Sequence, residues 1–95
     1  MKYFVVEGNL HVDKIDDDLM QEHMAYTQKK IDEGVILTSG LKSDMSGGLF
    51  IIKSNSIENL SEYLDNEPFK KAGAQSYKVI EFTSHYINEK VKSWF

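Results

Sequence analysis

Residues 35–54 read VILTSGLKSDMSGGLFIIKS, and this stretch decides the fold. Val35, Ile36, Leu37, Thr38 and Ser39 make an aliphatic and β-branched run that reads as a strand, with Gly40 as its stop. Residues 42–48 are polar and break at Gly47-Gly48, after which Leu49, Phe50, Ile51, Ile52 and Lys53 form a second strand. Two strands this close in sequence pair most economically as an antiparallel hairpin.

Amphipathic segments flank the hairpin. Before it, residues 16–33 follow a helical period. With about 100° per residue, Leu19, Met20, Met24, Tyr26 and Ile31 share one half of the wheel, with His23 near its middle. Asp16, Asp17 and Asp18 suit a helix start, and Gly34 suits its end. After the hairpin, residues 54–56 offer caps for a stripe of Ile57, Leu60, Tyr63 and Leu64. Pro68 has no N–H to give, so it belongs in the first turn of a separate short helix that stops at Ala72-Gly73.

Two further strands complete the chain. Residues 2–7 form one, closing at Gly8-Asn9. Residues 76–83 form the other, alternating Tyr77, Val79 and Glu81 against Lys78, Ile80 and Phe82. The order is β-α-β-β-α-β, which predicts an α+β, ferredoxin-like fold: a four-stranded antiparallel sheet with the helices on one face. One domain over residues 1–95 is expected, with 84–95 as a tail.

Several strands are apolar on both sides. Tyr3 and Val5 oppose Phe4 and Val6, and Leu49 and Ile51 oppose Phe50 and Ile52. A sheet with one wet face should alternate apolar and polar residues. The second face therefore needs a cover, and the simplest is another copy of the chain, packed sheet against sheet as a homodimer. The alternative cover is the tail.

Bulk composition narrows the function. Of 95 residues, 41% are hydrophobic and 27% charged, enough to build a core. The net charge is -4, and Lys29-Lys30 and Lys70-Lys71 are isolated pairs, so no basic patch suits nucleic acid. The absence of cysteine excludes disulfides, thiolate catalysis and Cys-zinc sites. No apolar stretch reaches the length of a membrane span, and the run after Met1-Lys2 is too short for a signal-peptide core. A cytoplasmic protein is the expectation.

The segment Glu22-His23-Met24-Ala25-Tyr26, then Glu33-Gly34-Val35-Ile36-Leu37 and Ser39-Gly40, resembles the first helix and second strand of the YCII-related family. Glu67-Pro68-Phe69 with the nearby Ala72-Gly73 is similar to that family's Asp-Pro-Phe/Tyr and Ala-Gly. The resemblance implies a dimeric α/β barrel with a cleft between sheet and helices, and an active pair that falls on His23 and Glu67. It also implies lyase or isomerase chemistry, since a lyase of a chlorinated aromatic ring lies near this family and muconolactone isomerases share its fold. Three departures stand out. Glu67 replaces the family's usual Asp, Met20 stands where relatives often carry Arg, and Lys30 occupies an inward position that is usually apolar.

His23 can act as general acid or base near neutrality, and a nearby carboxylate would fix its tautomer. The bland readings are a core histidine on a backbone carbonyl and a solvated acid at a helix start. Ser39, Gly40, Tyr26, Lys30 and Phe69 are candidate ligand contacts, against turn chemistry, packing or snorkelling. His11 and His85 join no ligand-spaced pair, so no metal is expected, and no cofactor is needed. Two functions follow. One is an enzyme moving a proton on a small organic molecule through His23 and Glu67. The other is a non-catalytic small-ligand or interaction module on the same scaffold.

Overall fold

Charged ends and capped turns set the elements of the computed structural model, which describes residues 1–95. The strands are β1 (Lys2–Leu10), β2 (Ile36–Leu41), β3 (Gly48–Ser54) and β4 (Gln75–Phe82). The helices are α1 (Asp17–Asp32), α2 (Ile57–Asp65) and α3 (Pro68–Lys71). The Asp16 side chain accepts from Leu19 N at 2.8 Å and starts α1, while Gly34, at φ 79°, follows its end. Ser56 does the same for α2, accepting from Asn59 N at 3.1 Å.

The sheet is antiparallel in the order β2-β3-β1-β4. This is the expected ferredoxin-like α+β plan. Phe4, Val6, Ile36 and Ile52 point to the helix-covered face and pack with Leu60 and Leu64 of α2. The fully buried helix residues of that core both come from α2. Helix α1 buries none of its residues fully. Of the apolar arc read from its sequence, Ile31 packs half-buried against the core, while Met20 and Met24 are exposed. Met20, His23 and Met24 roof a cleft.

Two glycines expected to end strands lie inside them. Gly8 pairs with Tyr77 and the ladder continues to Leu10↔Gln75, while Gly40 pairs with Leu49. Gly8 is there for close approach, because Gln75 packs over its bare Cα. Within β2 the register shifts between Ile36 and Thr38. This bulge changes the strand's phase, so Ile36 and Ser39 both share a face with their β3 partners, Ile52 and Phe50. Without it, Ser39 would face away from the cleft.

The second sheet face carries Tyr3, Val5, Ile51 and Ile80, as the alternation implied. The tail, taken as the alternative to a second copy, folds over one end of this face. Its 3-10 helix, Glu89–Trp94, brings Trp94 and Phe95 against Tyr3, with ring centroids 5.7 and 5.0 Å away. Trp94 Nε1 donates to Gly34 O at 2.7 Å, and Lys53 Nζ donates to Trp94 O at 2.7 Å. Ile80 remains about half exposed. No helix is long and apolar enough to cross a membrane.

Candidate functional site

Between α1 and the sheet lies a cleft of about 290 Å³. Met20, His23, Met24 and Thr27 descend from α1, and Ser39, Gly40 and Leu41 reach it from β2. Phe50 of β3 and Tyr77 of β4 contribute from the sheet, with Glu67 and Phe69 from the turn into α3. The spacing of 20, 23, 24 and 27 is one helical stripe.

Glu67 holds the polar end. Pro68 fills the first position of α3, leaving Glu67 to cap it: Oε2 accepts from Lys70 N at 3.2 Å. The same oxygen accepts from the Tyr77 hydroxyl at 2.9 Å, and Gln75 Nε2 donates to that hydroxyl at 2.8 Å. Oε1 lies 2.5 Å from His23 Nδ1. Glu67 is 2% exposed, and a buried carboxylate is tolerable only when its oxygens are matched in this way.

His23 is fixed on two sides. Its ring stacks on Phe69, with centroids 3.9 Å apart and planes 3° from parallel. A carboxylate at Nδ1 can only accept, so Nδ1 carries the proton, and in the neutral ring Nε2 keeps its lone pair. Nε2 has no hydrogen-bond partner within the chain, and the side chain keeps about a quarter of its exposure. The arrangement is a base or acid at the wall of a cleft, oriented from behind by a carboxylate.

Burial pushes the Tyr77 phenol well above its ordinary range, and the charge of Glu67 and the hydrogen bond to it act in the same direction. Tyr77 therefore stays a neutral donor to Glu67. Tyr63, also in the lining, is raised by burial and then by Tyr26 and Glu67. No three His, Cys, Asp or Glu side chains come together as a metal ligand set.

Of the residues singled out from sequence, the fold gathers His23, Glu67, Phe69, Ser39 and Gly40 around this cleft. Tyr26 and Lys30 are not among its lining. The Tyr26 hydroxyl donates to Tyr63 O at 2.7 Å and its ring stacks on Tyr63; Lys30 Nζ pairs with Glu33 at 3.1 Å. They occupy the stripe of α1 that meets α2. Tyr77 and Gln75 were missed as site residues. The β4 alternation put Tyr77 in phase with Val79, but nothing local shows that its hydroxyl meets Glu67.

The sequence profile of the YCII-related domain matches residues 1–83. No curated protein matches the chain in sequence. Among solved structures, the chain is similar in fold to the 5-chloro-2-hydroxyhydroquinone dehydrochlorinase of Burkholderia phenoliruptrix AC1100, solved in complex with 2,5-dihydroxybenzoquinone. The TM-score is 0.73 at 20% identity, over 87% of this chain and 95% of that one.

Proposed function

The chain belongs to the YCII-related family, and from that premise we propose that it is a cofactor-independent enzyme of lyase or isomerase type, moving a proton on a small organic molecule. The observation that carries this reading is the 2.5 Å contact between His23 Nδ1 and Glu67 Oε1 at the wall of an open cleft. In the forward step Nε2 takes a proton from the bound molecule, and the bonding pair left behind shifts into the substrate. In an elimination, a leaving group departs as an anion. In an isomerisation, the imidazolium returns the proton to another atom. Glu67 holds the ring and offsets the charge gained by His23. Phe69 fixes the ring plane, and Ser39 and Gly40 lie where a ligand edge would rest. The fold likeness to a dehydrochlorinase is consistent with chemistry of this class.

Self-association through the second sheet face belongs to the same proposal, supported by the apolar residues that the tail leaves uncovered.

The test does not require knowing the substrate. Lactones, phenols and hydroquinones are incubated with the protein in deuterated water, and proton NMR follows exchange of their activated protons. Exchange that the wild-type chain accelerates and His23→Gln does not is the expected result. If no compound exchanges faster with wild type than with His23→Gln, the site is a binding module instead.

A further inference from the structure

The charges around the cleft point to the class of molecule it takes, an inference that rests on the proton-transfer reading for the role of His23. No Lys or Arg lines the cleft. The ammonium groups nearby are turned to other partners: Lys70 Nζ meets Asp65 at 2.8 Å, Lys42 Nζ meets Glu7 at 3.0 Å, and Lys30 Nζ meets Glu33 at 3.1 Å. Glu67 is the one carboxylate in the lining. An imidazolium at His23 would be balanced by Glu67, so the site offers no net positive charge in either protonation state.

We infer that the cleft binds uncharged, single-ring molecules bearing a hydroxyl, and rejects those bearing a carboxylate. An anion entering here would lose water without gaining a cation, beside a like charge. A neutral hydroxyl has a partner waiting, because Nε2 of His23 is an unengaged acceptor. Phe50, Phe69, Met20 and Met24 supply apolar walls for a ring. The volume, about 290 Å³, is roughly twice that of a ~150 Å³ cavity that holds benzene, which leaves room for one substituted ring.

The experiment uses 4-hydroxybenzamide and 4-hydroxybenzoate, which match in size and hydroxyl and differ in charge. Each is titrated into the full chain at neutral pH, and the ring signals of His23, assigned by their loss in His23→Gln, are followed by NMR. The amide is expected to bind at least about tenfold more tightly, since its polar groups need no counter-ion. Met24 is exposed on the cleft wall, so Met24→Lys should keep the fold and bring the carboxylate level with the amide or ahead of it. Met20→Lys serves if circular dichroism shows the first variant unfolded. A carboxylate that binds wild type as tightly as the amide overturns the inference. So does absence of binding by both compounds, or a folded lysine variant that gains no affinity for the carboxylate. Charge preference is read in binding and proton transfer in exchange, so a carboxylate preference would leave the role of His23 standing.

Discussion

A Cβ placed on Gly8 would lie 2.3 Å from Oε1 of Gln75. The bare Cα of β1 is what lets the Gln75 amide lie flat, donate to Tyr77 and so hold the hydroxyl that braces Glu67. Gly8→Ala should push the amide aside, and overpacking of this kind costs about 1–3 kcal/mol. Gly47→Ala should be worse. Its Cβ would meet the main-chain oxygen of Gly8 at 1.9 Å, and backbone yields less than a side-chain end. Urea denaturation of both variants checks the ranking; a milder Gly47→Ala would contradict it.

The Glu67–His23 contact separates orientation from mere presence. In Glu67→Gln, the amide oxygen is expected to stay with Lys70 N–H and the Tyr77 hydroxyl, leaving the NH₂ group toward His23. Nδ1 must then accept, and the ring proton moves to Nε2, abolishing the base that faces the cleft. Nitrogen-15 spectra of the His23 ring should show the exchanged tautomer, with a stability loss of about 1–3 kcal/mol for the weakened buried network. His23→Gln removes the imidazole that meets Oε1 of the buried Glu67, so it should also cost about 1–3 kcal/mol of stability while lowering any turnover about 10²–10⁴-fold. An unchanged His23 tautomer in Glu67→Gln would show that the carboxylate does not set it.

Much of this architecture was legible because period and punctuation agreed. Ile57, Leu60 and Leu64 marked α2, Pro68 marked the start of α3, and the run 49–53 marked β3. Gly8 and Gly40 misled because glycine serves both as a stop and as a point of close approach, and only the neighbour decides. The bulge between Ile36 and Thr38 has no local signature, so the face of Ser39 depended on pairing alone. His23 stood out by its place on the apolar half of the first helix, and the family likeness paired it with Glu67. Tyr77 and Gln75 had no such mark, because their role depends on a turn that reaches them from outside β4. Tyr26 and Lys30 were placed inward by the wheel, which cannot tell a cleft from a helix neighbour.

Tyr77 should also make stability depend on high pH. Burial, then Glu67, hold its phenol protonated above the ordinary value of 10.0. In the unfolded chain the same phenol ionises at about that value. Below it both states keep the proton and the contribution is complete. Above it the unfolded state sheds protons that the folded state retains, so stability falls as pH rises, by up to about 1.4 kcal/mol per pH unit from this group. Tyr77→Phe should flatten that decline, though not remove it, because Tyr63 is shifted the same way by burial. Urea melts from about pH 8 to about pH 11 measure the slope. Equal slopes in wild type and Tyr77→Phe would show that the phenol ionises equally in both states.

Ile80 tests whether the second sheet face is an association surface. Pairing sets Ile80, Val5 and Ile51 in a row across β4, β1 and β3, next to the row that Tyr3 shares with the tail. The tail tethers to Tyr3, Lys53 and Gly34 and goes no further along the sheet through these bonds. Ile80 keeps 47% of its exposure, so Ile80→Lys removes little burial from a lone chain and should leave its stability within about 0.5 kcal/mol. In a sheet-to-sheet pair the same lysine would be carried in among the row of Val5 and Ile51, and a charge left unpaired there costs several kcal/mol, enough to dissociate a dimer of ordinary affinity. Analytical ultracentrifugation should therefore find a dimer for wild type and a folded monomer for Ile80→Lys. A wild-type monomer, or a variant that still pairs, would move the interface elsewhere or abolish it.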